Sequence, residues 1–426
     1  MSLQNWAGSL QFHLETEIAR PDGVVALPLD GRDLLHRSGL NGHIDWNSLR
    51  VVEANFPAHK QNGRVQETYA ATQWVPAADF HPEHNPCGTL LFRLWKMVWE
   101  EANWKKSYRL LFDVLSNGQK PLPSFDTQWL TPLWLRTNYG DDGHSTVEIG
   151  TGSTLFARFT HPNGRKPAFD VLSTPDGRVL TASQPRDHVW HRGLWFAWTK
   201  ITSPGLDLPS HTFWIEPHVA VIHDMGVSHC YAGPLIAGFT HRSTWCAPMG
   251  DPVFVAVQQA RLQSVEGKWL WLDLDLTLKA WRDFTLDTDY GHLAARANLS
   301  LQNPVALAGT NEPLHTTRDD APAPWIGFGG ELEGRAASLL LLGAKDNPGV
   351  VPVRDLFHEP RTFSLDENDL FLKISHNPIR PAPVPFEAGQ SRTWRHRVVT
   401  ATRLLDETFA NVHYHNFATA LQPSGV

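Results

Sequence analysis

The chain has 426 residues, of which 19% are charged, and its formal net charge is −7 at pH 7. It carries no basic stripe, which argues against a nucleic-acid partner. The longest apolar run, residues 336–344, is too short to cross a bilayer, so we expect no membrane partner. The three cysteines suit neither a disulfide framework nor a zinc ribbon, and the N-terminus lacks the pattern of a signal peptide. We therefore expect a cytoplasmic protein.

The first part of the chain predicts a small β-sandwich domain over residues 1–115. The segments "ARPDGVVALPLD" (19–30) and "IDWNSLRVVEANF" (44–56) are typical of hairpin-connected strands. Residues 32–40 favour a short helix, and residues 85–111 fit either a helix or a strand, a loop and a strand. Residues 116–130 are rich in turn-forming residues and predict a linker.

The rest of the chain predicts one large all-β body over residues 131–405, followed by a tail at 406–426. Its clearest strand is 268–280, where leucines alternate with Trp, Asp, Thr and Lys. The absence of alternating strands and helices argues against a parallel doubly wound sheet, so we expect antiparallel sheets. Further strands are predicted at 146–159, 193–201, 211–224, 292–302, 337–344 and 392–405.

The segment "DHVWHRGLW" (187–195) is the first candidate site. His188 and His191 are three residues apart, a spacing that brings two side chains together in a turn but not on a strand. Imidazoles bind metals or move protons near neutral pH, and the neighbouring Arg192 can hold a carboxylate. We expect a catalytic role for these three residues, with a hydrogen-bonded structural corner as the alternative.

Glu216 is the second candidate, within the predicted strand 211–224. If this strand forms an antiparallel hairpin with 193–201, Glu216 faces the same cleft as the two histidines. The three side chains would then suit a divalent metal ion, or the carboxylate would orient an imidazole. The alternative is a glutamate in solvent on an edge strand.

A third group of candidates follows in the segment "LDTDYGHLAARAN" (286–298). Tyr290 and His292 flank a glycine at the start of a predicted strand and are candidate Brønsted residues, and Arg296 is a candidate substrate-binding residue. His223 and His241 are further substrate-binding candidates, with a structural role as the alternative for each.

The chain has 18 tryptophans, whose flat rings either stack on sugars or fill a β-sandwich core. The second face of strand 268–280 is aromatic and acidic, which fits either solvent or a ligand cleft. We therefore include the following residues as candidate substrate-binding positions: Trp190, Trp198, Trp214, Trp271 and Asp273.

Over residues 160–405 the sequence resembles the family commonly labelled "methane oxygenase PmoA", a domain of unknown function. The motif-bearing stretches, in chain order, are "STPDGRVLTASQPRDHVWHRGLWFAW", "HTFWIEP", "TDYGHLAARAN", "PWIGFGGELEGR" and "FEAGQSRTWRHRVV". The sequence departs from the family pattern at Asp170, Trp190 and Lys345–Asn347, where that family typically has histidines. His188, His191, Arg192 and Glu216 are retained.

The resemblance implies a galactose-mutarotase-like super-sandwich, a fold that hosts mutarotases, polysaccharide lyases and parts of glycoside hydrolases. It therefore implies a carbohydrate substrate. The oxygenase label itself would require membrane-spanning helices, which the sequence does not predict.

The candidate residues favour a lyase that carries out β-elimination on a uronic-acid or oxidised-sugar glycoside. This reaction needs a group that neutralises the carboxylate, a base and an acid, and His, Arg and Tyr can supply them. Hydrolysis needs two carboxylates, for which Glu216 with Asp187 or Asp273 is the available pairing. A sugar epimerase or mutarotase, and a glycan-binding protein without catalysis, remain alternatives, and an oligomer is compatible with each.

Overall fold

The structure is a computed structural model, which describes most of the chain. Outside the described residues lie 1–5, 17–23, 55–58, 62–63, 67–69, 95–102, 116–131, 141–143, 210–212, 216–220, 266, 288–290, 310–322, 349–352, 359–371, 378–382 and 420–426. In the described part, no helix has the length and hydrophobicity needed to cross a membrane.

The chain forms two compact units. The first comprises residues 1–132 with 233–236 and 419–426, and the second comprises 133–232 and 237–418. The elements of the first unit are β1 (Gly8–Thr16), β2 (Val24–Asp30), α1 (Gly31–Ser38), β3 (His43–Glu53), β4 (His59–Gln61), β5 (Arg64–Gln66), β6 (Thr72–Pro76), β7 (Cys87–Arg93) and β8 (Trp104–Leu115).

Two three-stranded sheets, β1-β8-β3 and β2-β7-β6, share the core of the first unit. Phe12 of β1 packs against Phe92 of β7, with ring centroids 5.8 Å apart. The helix predicted at 32–40 is confirmed as α1. It begins after Asp30, whose side chain accepts a hydrogen bond from the Arg32 amide, and it ends at Gly39, where φ is 65°.

Among the described residues, the second unit contains the remaining strands and one helix. Its elements are β9 (Leu133–Tyr139), β10 (His144–Thr151), β11 (Thr154–Pro162), β12 (Ala168–Leu172), β13 (Leu194–Trp198), β14 (Ile201–Thr202), β15 (Val221–Ala232), β16 (Ala237–Cys246), β17 (Pro252–Val265), β18 (Trp269–Ala280), β19 (Phe284–Leu286), β20 (Gly291–Arg296), β21 (Gln302–Ala308), β22 (Trp325–Leu332), β23 (Arg335–Gly343), β24 (Val353–His358), β25 (Leu372–Asn377), β26 (Val384–Phe386), β27 (Ser391–Ala401) and α2 (Glu407–Ala418).

Two eight-stranded antiparallel sheets form the body of this unit, and the all-β prediction is confirmed. The first sheet has the order β24-β25-β20-β13-β12-β11-β10-β9, and the second has the order β15-β16-β17-β18-β27-β23-β22-β21. Both sheets contribute to one apolar core. Phe159 of β11 and Phe239 of β16 meet there, with ring centroids 5.0 Å apart.

The strand predicted at 268–280 is confirmed as β18, because its even-numbered leucines from 270 to 278 all face the shared core. The strand predicted at 146–159 is instead a hairpin of β10 and β11, which turns at Gly152, where φ is 52°.

The predicted hairpin between 193–201 and 211–224 is wrong. β13 pairs with β12 and β20, whereas β15 lies in the other large sheet and pairs with β16. Residues 213–215 form a turn rather than a strand. The two segments are close in sequence but enter strands of different sheets. Closeness in sequence therefore does not establish which strands pair.

The C-terminal segment contains α2, which packs on the second sheet of this unit. Phe409 and Ala410 of α2 join a cluster with Trp271, Trp325 and Val399. The segment predicted as a tail therefore covers an apolar sheet face that would otherwise contact water.

Candidate functional site

The candidate site lies on the outer face of the first eight-stranded sheet. Side chains alternate along β13, so that Leu194, Phe196 and Trp198 enter the core between the sheets. Trp195 and Ala197 face the opposite side, where they form a small separate cluster with Ala168, Trp214 and Ala294.

A tight turn brings the two histidines of "DHVWHRGLW" to this outer face. The His188 amide donates to the Pro185 carbonyl at 3.1 Å, and the His191 amide donates to the His188 carbonyl at 2.8 Å. The amide of Gln184 closes the loop on the His191 carbonyl at 2.8 Å. The two imidazoles consequently stack, with centroids 4.6 Å and planes 15° apart. His188 and His191 thus lie three residues apart within a turn, which is the arrangement in which their side chains can act together.

Asp187 holds His188 in one orientation. Its Oδ2 contacts His188 Nδ1 at 3.0 Å and Arg296 Nη2 at 2.7 Å. Burial alone would raise the pKa of Asp187, but the hydrogen bond from His188 and the Arg296 guanidinium lower it below its ordinary value. A carboxylate accepts hydrogen bonds only, so Nδ1 of His188 carries a proton and Nε2 presents a lone pair in the neutral ring.

Buried cations surround these residues. The side chains of Lys166, Arg296 and Lys373 are each 1% exposed. Arg296 of β20 lies directly opposite Lys373 of β25 in the strand register. Burial first, and then the charge of Lys373, lower the pKa of His191 well below its ordinary value, with further lowering by Arg296 and Lys166. His191 is therefore neutral at pH 7.

Aromatic rings form the walls of the site. Trp195 and Trp214 pack with centroids 5.6 Å apart, and His191 lies 5.2 Å from Trp195. The Lys166 ammonium donates to the carbonyls of Trp190 and Trp214, which ties the turn to the loop at 213–215. Trp190 is half-buried, and its ring centroid lies 5.0 Å from that of His188.

The structure brings some of the predicted site residues together and separates the others from them. The residues that lie together are His188, His191, Trp190, Trp214 and Arg296. Arg192 follows His191 directly and is 4% exposed at the entrance of β13. Glu216 and Tyr290 lie outside the described residues, and the metal site expected at His188, His191 and Glu216 stays a prediction.

His292 and Trp198 lie on the opposite face of the same sheet. The backbone of His292 has a φ of 67°, which interrupts the side-chain alternation of β20. Its ring therefore lies in the core, where its Nδ1 accepts a hydrogen bond from Trp198 Nε1 at 3.2 Å. Both side chains are fully buried, away from Asp187 and Arg296.

Trp271 and Asp273 lie on the second large sheet. Trp271 is 2% exposed, and its Nε1 donates to Nδ1 of His413 in α2 at 3.1 Å. Asp273 forms a bidentate ion pair with Arg397 at 2.6 and 2.9 Å. The aromatic and acidic face of β18 is thus covered by α2 and by cross-strand ion pairs.

His223 and His241 lie near Asp224, on strands β15 and β16 of the second large sheet. His223 is exposed on β15, whereas His241 of β16 is buried and contacts Asp224. These residues belong to the opposite sheet from the Asp187 site.

Lys166 and Lys373 were not predicted from the sequence. Each is an isolated lysine without a motif of its own. The strand order β12-β13-β20-β25 alone brings them to the turn at 185–191.

Comparisons with known proteins identify a family but no activity. Among solved structures, the chain is similar to the heparan sulfate lyase HepC from Pedobacter heparinus, with 10% identity, a TM-score of 0.27 and coverage of 67% of this chain. The similarity spans only 38% of that enzyme and carries no argument about chemistry. No curated protein matches the chain.

A family model described as one of unknown function matches residues 146–415. This range includes every described residue of the Asp187 site, and the description supports no oxygenase label. Because the match covers more than half of the chain, the protein belongs to the family of unknown function DUF6807.

Proposed function

We propose that the protein is a carbohydrate-active enzyme that cleaves an acidic sugar glycoside by β-elimination. The observation that supports this most is the combination of an Asp187–His188 pair with buried cations on one sheet face. Asp187 already pairs with Arg296, and an anionic group on a ligand would interact favourably with the same cluster of positive charge. A uronic-acid sugar carries such an anionic group next to the carbon that loses a proton.

His188 is the proposed base. Asp187 holds Nδ1, and Nε2 presents the lone pair, which is the orientation a general base needs. The side chain of His188 is 23% exposed, so a substrate can reach it from the mouth of the site.

Arg296, Lys373 and Lys166 are proposed to neutralise the substrate carboxylate. Arg296 and Lys373 lie opposite each other in a strand pair, so a substrate carboxylate bound there would interact with both positive charges. Neutralisation acidifies the neighbouring C–H bond because it stabilises the negative charge that develops in the transition state. Arg192 is a further proposed contributor.

The bond changes balance without a cofactor. His188 removes the proton next to the carboxylate, and the C–H electron pair forms a carbon–carbon double bond. The neighbouring C–O bond breaks, and the leaving oxygen takes a proton from the hydroxyl group of Tyr290, the predicted acid. The products are an unsaturated uronate and a free hydroxyl group.

Hydrolysis receives less support from the described residues. A glycosidase places two carboxyl groups across the scissile bond. Asp187 is the carboxylate described in the site, and Asp273 is paired with Arg397 on the other large sheet. Glu216 is the remaining partner in the predicted pairing.

The test is an assay of a panel of uronic-acid polysaccharides and oligosaccharides for the ultraviolet absorbance of an unsaturated uronate. We expect turnover of at least one substrate. His188→Gln and Asp187→Asn should each reduce kcat about 10²- to 10⁴-fold, the contribution of a positioned base. His43→Gln, which removes an exposed histidine from β3, is the matched control and should leave the rate unchanged.

Each alternative gives a different result. An epimerase would exchange the proton with solvent deuterium without forming the double bond, and a hydrolase would release reducing ends without the absorbance. Binding without turnover would indicate a glycan-binding protein. Any of these three results, or silence across the panel, contradicts the proposed elimination.

A further inference from the structure

A second group of polar residues lies at one edge of the body, where strands of the two large sheets approach each other. His161 is the penultimate residue of β11 in the first sheet, whereas Asp224 and His241 belong to β15 and β16 of the second. Asp224 Oδ2 contacts His161 Nδ1 at 3.1 Å, and Asp224 Oδ1 contacts His241 Nε2 at 2.8 Å. One ligand atom from each of the three side chains lies within 4.8 Å of the other two.

We propose that His161, Asp224 and His241 bind a divalent transition-metal ion. Two imidazole nitrogens and one carboxylate oxygen are a ligand set that proteins use for zinc and for non-haem iron, with further positions left for water or substrate. Ligand atoms around a tetrahedral zinc ion are about 3.4 Å apart, given bonds of about 2.0–2.2 Å. Separations of 2.8 and 3.1 Å therefore need to widen by less than 1 Å.

The surrounding structure holds the three side chains in place. Phe159 stacks on His161 with centroids 5.8 Å apart and packs edge-on against His241 at 5.1 Å. The Gly226 amide donates to Asp224 Oδ1 at 3.1 Å, which orients the carboxylate at a bulge in β15. A ligand set that is already oriented loses less entropy when the metal binds.

The cluster can be reached from solvent on the side of Asp224. Asp224 keeps a side-chain exposure of 19%, which leaves the cluster open to an ion from solvent.

The test uses the full-length protein, stripped of metal with a chelator and titrated with Co²⁺ and then Zn²⁺. We expect one equivalent of Co²⁺ to bind with a visible ligand-field band, and Zn²⁺ to displace it. Asp224→Asn and His241→Gln should each weaken Co²⁺ binding at least about 100-fold, since even outer partners of metal ligands contribute 10- to 100-fold. His223→Gln, which removes an exposed histidine next to Asp224, is the matched control and should bind as the wild type does.

Two further measurements keep the outcomes distinct. Thermal unfolding of each variant shows whether it is folded, and His161→Gln serves as a third ligand variant if Asp224→Asn is not. His188→Gln separates this site from the one predicted at His188, His191 and Glu216. The proposal is overturned if wild-type protein gives no Co²⁺ band, if folded Asp224 and His241 variants bind as wild type does, or if binding depends on His188 instead.

Discussion

At the scale of single residues, burial of a histidine makes the stability of this protein dependent on pH. His413 of α2 is 1% exposed, and its Nδ1 accepts the hydrogen bond from Trp271. Burial is the main cause that lowers its pKa to about 3, and the charges of Arg397 and Arg403 lower it further. The folded state therefore keeps this imidazole neutral where the unfolded chain would protonate it.

We expect His413→Gln to reduce the loss of stability in acid. Between about pH 6.5, the unfolded pKa, and pH 3, the unfolded state binds one proton more than the folded state at this residue. As the pH decreases through this range, the free energy of unfolding of the wild-type protein should therefore decrease by up to about 1.4 kcal/mol per pH unit more than that of the variant. Above pH 7 the imidazole is neutral in both states, so His413 causes no loss of stability there.

Urea unfolding monitored by tryptophan fluorescence at several pH values measures the difference. His415→Gln, an exposed position on the same helix, is the matched control and should follow wild type. Parallel pH profiles for wild type and His413→Gln would show that the folded protein protonates His413 as readily as the unfolded chain does.

At the scale of elements, α2 stabilises the sheet that it covers. Phe409 is 5% exposed, and its ring lies 4.3 Å from that of His413 and 6.2 Å from that of Trp269. The helix thereby removes the aromatic face of β18 from water, and apolar area withdrawn from water is the main source of stability.

We expect Phe409→Ala to lower the free energy of unfolding by about 3 kcal/mol, from the lost burial and the cavity left behind. Val412→Ala changes a side chain that is 44% exposed on the same helix and should cost about 0.5 kcal/mol or less. Chemical denaturation of both variants measures the difference, and an equal effect of the two would show that α2 does not pack on the sheet.

At the scale of the whole molecule, the two compact units have separate cores. One apolar cluster draws on residues from Phe12 to Phe112, and the others draw on residues from Leu133 onward. A unit with its own apolar core can bury enough surface to fold by itself.

We expect a chain that begins at Leu133 to fold cooperatively and to retain both proposed sites. Calorimetry should show one sharp transition, and Co²⁺ should still bind. An isolated second unit without a cooperative transition, or with exposed apolar surface that binds a hydrophobic dye, would show that it needs the first unit in order to fold.

Local patterns alone predicted much of the fold and part of the site. The leucines of β18 repeat with period two, which requires a strand with one buried face whatever lies beside it. The sequence also indicated that His188 and His191 can act together only if residues 187–191 form a turn, and the structure contains that turn. Both features depend on contacts within a few residues, and these can be read along the chain.

The remaining features depend on which strands pair, and separation in sequence hides that. Arg296 meets Lys373 because β20 pairs with β25, and His241 meets His161 because two sheets approach at one edge. Because His292 has a positive φ, the side chain of this predicted catalytic residue points into the core. Thus the sequence by itself determined the all-β class and the histidine turn. The tertiary structure alone decided which distant cations and ligands surround each site, because strand pairing and sheet packing bring together residues that no local pattern connects.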